Sequence, residues 1–222
     1  MSTNTIISLE GNIGSGKSTI LRIMQEKYQN NPNVIFVDEP VSEWNLIKDG
    51  DKSILELFYE DQAKYSFAFQ IMAYITRLRK LLQVLENSSD KIIICERSIY
   101  TDKYVFAKML YQQGHINEIE WQTYNYWFDT FKEKTKLNMI IYVNTNPEIC
   151  FGRIKKRNRT GESNIPLDYL EHCHRLHQEW LESNNEEIVV PFDGNIELKE
   201  DNESNYFHSL ETLLTKNVES TN

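Results

Sequence analysis

Nine consecutive residues, from Gly11 to Thr19, constrain this chain more than any other stretch. They read Gly-Asn-Ile-Gly-Ser-Gly-Lys-Ser-Thr and fit the phosphate-loop pattern G-x-x-x-x-G-K-[ST]. An apolar run over residues 5–9 precedes them and a helical pattern over 19–28 follows. That strand–loop–helix context distinguishes a phosphate site from a glycine-rich turn that binds nothing. Glycines at 11, 14 and 16 allow successive amides to turn inward, and the helix N-terminus adds positive potential for phosphate oxygens. The nine residues Gly11, Asn12, Ile13, Gly14, Ser15, Gly16, Lys17, Ser18 and Thr19 are therefore expected to cradle a nucleoside triphosphate. Lys17 is expected to reach the β- and γ-phosphates, and the Ser18 hydroxyl to hold Mg²⁺.

The rest of the chain alternates strand and helix. Apolar runs at 34–37, 91–95, 139–143 and 188–190 join 5–9 as five strands, two of them continuous enough for burial on both faces of a parallel sheet. Helices are expected at 53–59, where Ser53 and Glu56 form a capping box, and at 62–87, 98–113, 117–134, 147–157 and 166–182. A last amphipathic helix is expected around Phe207, Leu210, Leu213 and Leu214, and residues 41–52 as a loop carrying Trp44. The pattern predicts an α/β fold of the P-loop NTPase type: a doubly wound, five-stranded parallel sheet flanked by helices, with ligands at the carboxyl ends of its strands. Residues 1–222 read as a single domain, with an arginine-rich lid at about 153–164 and a polar tail at about 216–222.

A net charge of −9 lacks the electrostatic footprint of a nucleic-acid binder. No apolar run approaches the roughly 18 residues of a membrane span, and the first strand begins too early for a leader peptide. Three scattered cysteines argue for a reducing compartment, the cytoplasm, rather than a disulfide framework.

Three groups of residues fall just beyond strand ends, where such a sheet places its site. Pro40 holds Glu39 out of helical geometry, so a carboxylate stands ready to accept a proton from an attacking hydroxyl, while Asp38 reads as a solvated turn residue. Glu96-Arg97-Ser98 follows the buried strand at 91–95; Glu96 could hold Mg²⁺ and Arg97 neutralise charge between donor and acceptor, or the two could form a surface ion pair. The Asp-x-x-Gly and Asn-Lys-x-Asp signatures of switch GTPases do not occur. Residues 153–159 carry five bases in seven positions, with Arg153 and Arg157 on one helix face and Arg159 beyond. With Gly161 as a hinge, they would bring guanidinium groups to transferring phosphates.

On these residues the chain resembles the deoxynucleoside kinase family. The resemblance extends to Glu39-Pro40-Val41 with Trp44, to Tyr59, to Tyr65-Ser66-Phe67-Ala68-Phe69-Gln70, to Glu96-Arg97-Ser98 with Asp102, and to Ile165-Pro166-Leu167 after the lid. It implies transfer of the γ-phosphate of ATP, with Mg²⁺, to the 5′-hydroxyl of a deoxynucleoside. Glu39 would then be the general base, assisted by Arg97 and Lys17. Tyr59 and Glu162 would hold the sugar 3′-hydroxyl, Gln70 would pair with the base, and Val41, Trp44, Phe69, Arg77 and Asp102 would complete its pocket. Glu197-Leu198 lines up with the segment that touches adenine, where the family usually has Asp-Phe. Ala73, Arg77 and Asp102 resemble relatives that prefer deoxycytidine or purine deoxynucleosides to thymidine, and the resemblance also implies a homodimer.

The residues themselves agree. Gln70, Ala73 and Arg77 form one stripe of the 62–87 helix, and a buried Gln and Arg need polar partners that a nucleobase and Asp102 would supply. His172, Cys173, His174 and His177 share one helix without a second ligand group and are not read as a metal site. Trp121, Tyr124, Trp127, Phe128 and Phe131 read mostly as a core stripe, with a dimer face left open. Two rival readings stand: a thymidylate-type monophosphate kinase, which needs basic residues at the acceptor end, and a nucleotide-binding module without phosphotransfer.

Overall fold

The structure, a computed structural model, describes residues 4–159, 161–162, 164–184, 187–196, 208 and 212. Glu197, Leu198, the helix expected around Phe207 and the 216–222 tail lie outside them. In chain order come β1 (Thr5–Glu10), α1 (Lys17–Tyr28), β2 (Val34–Val37), α2 (Val41–Trp44), β3 (Lys48–Asp49), β4 (Lys52–Ser53), α3 (Ile54–Glu60) and α4 (Gln62–Glu86). Then follow β5 (Ile92–Glu96), α5 (Ile99–Thr101), a π-helical stretch (Asp102–Ala107), α6 (Lys108–Gln112) and α7 (Glu118–Phe131), which ends in a 3₁₀ turn (Lys132–Thr135). The chain continues through β6 (Met139–Asn144), α8 (Pro147–Arg157), α9 (Leu167–Glu182) and β7 (Ile188–Asp193).

The main sheet is parallel throughout, in the order β2-β5-β1-β6-β7. β1 is central, with Ile7 opposite Ile94 on one side and Met139 on the other. Alternation along the strands divides the core in two. Ile6, Ile93 and Ile140 face Leu170, Cys173 and Leu176 of α9, whereas Ile7, Ile94 and Ile141 face Ile20, Leu21 and Met24 of α1. Burial on both faces is why these strands read as unbroken apolar runs. A third cluster joins α3, α4 and α7 through Phe58, Phe69, Tyr74, Tyr124 and Phe128.

Two expectations need correction. Residues 41–52 are not simply a loop: α2 closes one turn on the Pro40 carbonyl, and β3 pairs with β4 through Gly50 at φ +61°. Both elements are too short to leave a periodic signature. The helix expected over 98–113 is interrupted, because Asp102–Ala107 takes π-helical geometry before α-helix resumes. Ser53 and Glu56 do form the expected capping box. Among the described residues, no helix is long and apolar enough to cross a membrane.

Candidate active site

A cavity of about 290 Å³ lies at the carboxyl ends of β1, β2 and β5, between the phosphate loop and α4. Ile13, Gly14, Gly16, Lys17, Ser18 and Thr19 line it, while Gly11, Asn12 and Ser15 are buried behind them. Gly11 has φ +144°, and a Cβ there would stand 2.6 Å from the Val143 carbonyl oxygen, so the loop admits no side chain at its start. Asn12 is a strut: its Nδ2 donates to the Leu170 carbonyl at 2.8 Å and its Oδ1 accepts from the Ile13 amide at 2.9 Å. Lys17 curls back, its Nζ donating to the Asn12 carbonyl at 2.7 Å. Burial, with Arg97 adding repulsion, pulls the Lys17 ammonium down to about 7, against the opposing pull of Glu96 and Glu39.

Two carboxylates face the loop. The Ser18 hydroxyl donates to Oε1 of Glu96 at 2.6 Å, so a hydroxyl and a carboxylate converge beside the loop. Glu39, just past β2, accepts through one oxygen: Oε1 takes Arg97 Nη1 at 2.6 Å and Arg77 Nη2 at 3.2 Å. Among the described residues, no hydrogen bond engages its Oε2. Burial pushes the Glu39 carboxyl up, but Arg97, Arg77 and Lys17 outweigh it and hold it at about 2. Asp38 stays on the exposed turn, as expected, with Gln25 donating to it at 2.8 Å.

Arg97 sits in the left-handed region, φ +62°, where a residue other than glycine is strained and where function commonly explains the strain. The conformation turns its guanidinium back over the phosphate loop, with Nη2 3.4 Å from the Gly11 carbonyl and the Phe106 ring 5.2 Å away. Its Nε is buried without a hydrogen-bond partner.

At the α4 end, the expected pairing of Arg77 with Asp102 is present, Nε to Oδ2 at 2.9 Å. Arg77 also donates from Nη1 to the Glu96 carbonyl at 2.7 Å. Burial raises the Asp102 carboxyl even beside that arginine. Gln70, in the same stripe, is buried with its Oε1 unpartnered, on a cavity wall it shares with Trp44, Phe69 and Ala73. The wall is aromatic: Phe69 stacks on Phe58 at 4.7 Å and meets the Trp44 edge at 5.4 Å. Thr76 fixes Trp44 by accepting from its Nε1 at 3.0 Å. Val41 does not line the cavity; it is half-buried against the α3–α4 cluster.

The lid residues divide. Glu162 is buried beside Tyr59 and accepts from Arg157, and from Arg159 at 3.1 Å. Burial raises the Tyr59 hydroxyl well above its usual range, and Glu162 adds to the effect. Arg153, expected to serve phosphates with them, touches the cavity but spends its guanidinium on backbone: Nη1 on the carbonyls of Ser15 at 3.1 Å and Gly194 at 2.9 Å, Nη2 on Ile196 at 3.3 Å. It braces the phosphate loop. Gly161, at φ +87°, packs against Glu56.

Sequence reasoning passed over Leu55, Phe58, Phe106 and Tyr169, which also line the cavity. They are apolar or aromatic residues on helices, where a pocket wall and a core carry the same periodic signal. His177 is fully buried and bonds the Cys173 carbonyl at 2.7 Å, whereas His172 meets Gln112 and Gln113 at the surface. Tyr124 and Phe128 belong to the core, while Ile119, Tyr126 and Trp127 on the same helix are exposed.

The model of the deoxynucleoside kinase family matches residues 7–215 of this chain. The probable deoxycytidine kinase of Fowlpox virus (strain NVSL) is 37% identical over 195 residues, covering 86% of this chain and 78% of that protein. The mitochondrial deoxyguanosine kinase of Xenopus laevis is 34% identical over 201 residues, 82% of this chain and 75% of that one. Deoxycytidine kinase of Homo sapiens is 36% identical over 196 residues, 79% and 74% of the two chains.

Proposed function

The chain belongs to the deoxynucleoside kinase family, whose members are ATP-dependent kinases of deoxynucleosides, and from that premise we propose how its cavity works. The deoxynucleoside enters with its base against Gln70 and the Trp44–Phe69 wall and its 5′-hydroxyl toward Glu39. ATP lies on the phosphate loop, and its γ-phosphate passes to that hydroxyl. Tyr59 and Glu162 hold the sugar 3′-hydroxyl. The observation that supports this most is the position of Glu39, between the phosphate loop and Gln70, with Oε1 held by two arginines and Oε2 open to an acceptor.

Glu39 takes the 5′-hydroxyl proton. Held at about 2, its carboxylate is ionised but a weak base. As charge develops on the transferring group, Arg97 moves its hydrogen bond from Glu39 toward those oxygens, and the carboxylate grows more basic as the proton arrives. Lys17 leaves the Asn12 carbonyl for the phosphates, and Arg157 and Arg159 leave Glu162 for them. Ser18 and Glu96 are hard oxygen donors already within hydrogen-bond reach of each other, a set that suits Mg²⁺. They would hold the ion, which neutralises phosphate charge when bound.

The base preference is deoxycytidine or a purine deoxynucleoside over thymidine. Arg77 and Asp102 offer a donor and an acceptor to amino and ring groups that thymine lacks, and crowd its C5 methyl. Residues 1–222 act as one kinase unit with its lid at about 153–164. The exposed apolar residues Ile119, Tyr126 and Trp127 of α7 and Ile75 of α4 suit contact between two copies. The free buried cysteines suit a reducing compartment, which we take to be the cytoplasm.

ATP consumption against deoxynucleosides, ribonucleosides and monophosphates tests the reading. Turnover with deoxynucleosides, thymidine the poorest, is expected. Turnover with monophosphates alone would make the chain a monophosphate kinase, and binding without turnover a nucleotide-binding module.

A further inference from the structure

Glu10 ends β1 one residue before the phosphate loop and is fully buried. Among the described residues no cation pairs with it; its carboxylate is satisfied by hydroxyls instead. Ser98 donates to Oε1 at 2.6 Å, Ser8 donates to the same oxygen, and Thr101 donates to Oε2. A buried carboxylate carries a large desolvation cost, and an apolar residue could fill the same space without it. What an apolar residue could not do is hold hydroxyls from a segment 88 and 91 positions away in the chain.

The identity of those hydroxyls matters. Ser98 directly follows Arg97, and Thr101 directly precedes Asp102. Ser98 stands at the N-cap of α5 yet makes no side-chain cap bond, because its hydroxyl is committed to Glu10. Around the two anchors, the chain leaves a left-handed Arg97, makes a short α-helical turn, and enters the π-helical stretch at Asp102. Neither conformation is one that a backbone adopts without outside support. The Arg97 amide donates to the Leu9 carbonyl at 3.1 Å, so the turn is tied to the end of β1 on both sides of Arg97.

We propose that Glu10 is a positioning residue for phosphoryl transfer, fixing through Ser98 and Thr101 the turn that presents Arg97 to Glu39 and Asp102 to Arg77. The proposal rests on the roles given to Arg97 and Asp102 above. It separates Glu10 from both the phosphate-binding loop beside it and the residues that touch substrate.

The test compares Glu10→Gln, Glu10→Leu and the double variant Ser98→Ala with Thr101→Val against an active parent. Glu10→Leu and the double variant should each lower kcat about 10- to 100-fold, the loss expected of a misplaced catalytic group. KM for ATP should stay within about twofold, because Lys17 and the loop amides are untouched. Glu10→Gln should recover most of the parental kcat, since its amide can still exchange hydrogen bonds with rotating hydroxyls. A fall in Tm with kcat per folded molecule unchanged would overturn the proposal, leaving a structural role. So would Glu10→Gln as inactive as Glu10→Leu, which would mean that charge rather than placement is needed. If Glu10→Leu does not fold, the double variant carries the decision, because it cuts the two bonds to the Arg97–Asp102 turn, leaves that from Ser8, and changes little volume. An inactive parent would count against the proposed function itself, before any variant is compared.

Discussion

Arg77 donates from Nη2 to Oε1 of Glu39 at 3.2 Å, and by that bond the helix proposed to face the nucleobase is tied to the proposed general base. The same guanidinium holds Asp102 through Nε at 2.9 Å and the Glu96 carbonyl through Nη1 at 2.7 Å. The three groups proposed to read the base, take the proton and hold the metal therefore share one cation. A buried charge stripped of its partner is costly, so changes here report on more than one task at once.

Glu39→Gln keeps an acceptor for Arg97 and Arg77 but removes the base. Turnover should fall by roughly 10²–10⁴ while the nucleoside still binds, as calorimetry would register. Near-parental turnover would remove Glu39 from the mechanism.

Changing Arg77→Met together with Asp102→Ala removes the polar pair without stranding either charge. Phosphorylation of thymidine relative to deoxycytidine should rise against the parent. Total kcat should also fall, because Glu39 loses the 3.2 Å bond to Arg77. Unchanged selectivity would show that this pair does not read the base.

Lys17 lies at about 7 before ligand binds, so at a pH of about 8 much of it is neutral. Phosphates favour the charged form, and binding of Mg-ATP should take up a proton there. The uptake should fade toward a pH of about 6, where the free enzyme is already protonated. Calorimetry in buffers of different ionisation heat measures it, and no uptake at the higher pH would show that Lys17 is already charged.

The lid arginines should separate by task. Arg157→Ala and Arg159→Ala should lower turnover at low ATP with little change in Tm. Arg153→Ala removes hydrogen bonds to the carbonyls of Ser15, Gly194 and Ile196, the first of which keeps its bond from Thr145, and should cost about 1–3 kcal/mol of stability. Full activity of both lid variants at low ATP would reduce those residues to ion-pair partners of Glu162.

Burial holds the His177 ring neutral down to about 3. A histidine depressed in the folded state stabilises fully above its unfolded value of about 6.5, and the contribution is lost as pH falls from there toward 3, at about 1.4 kcal/mol per unit. Between pH of about 7 and 4.5, Tm should therefore drop less in His177→Leu than in the parent. Parallel curves would show that His177 is not the group titrating.

The strands and the phosphate loop were legible because burial on both faces and a fixed glycine spacing leave marks in the sequence. The Arg77–Asp102 contact was legible for a different reason: a charge on an apolar stripe demands a partner. Arg153 looked equivalent to Arg157, four residues on, because its actual partners are backbone carbonyls, which every residue possesses and no sequence distinguishes. Val41 missed the cavity because a one-turn helix, too short to show a period, carries it against α4. Two of the three hydroxyls around Glu10 come from beyond the neighbouring strand β5, at a separation where spacing says nothing.

On the roles proposed above, the π-helical stretch Asp102–Ala107 lets the site absorb a change in chain length. Its wider turns hold more residues than an α-helix would, and Asp102 begins it while facing Arg77. Deleting one residue from 103–106 would allow the helix to relax to α geometry with both flanks kept in register, because a π-helical stretch is an α-helix that has absorbed one extra residue. Asp102 and the core contacts of α6 would both be kept, and the change would fall on the wall between them, where Phe106 lines the cavity beside Arg97. Relatives one residue shorter here would thus be expected to keep the Arg77–Asp102 pair and to differ in that wall, a route to new specificity invisible to any comparison of the paired residues alone.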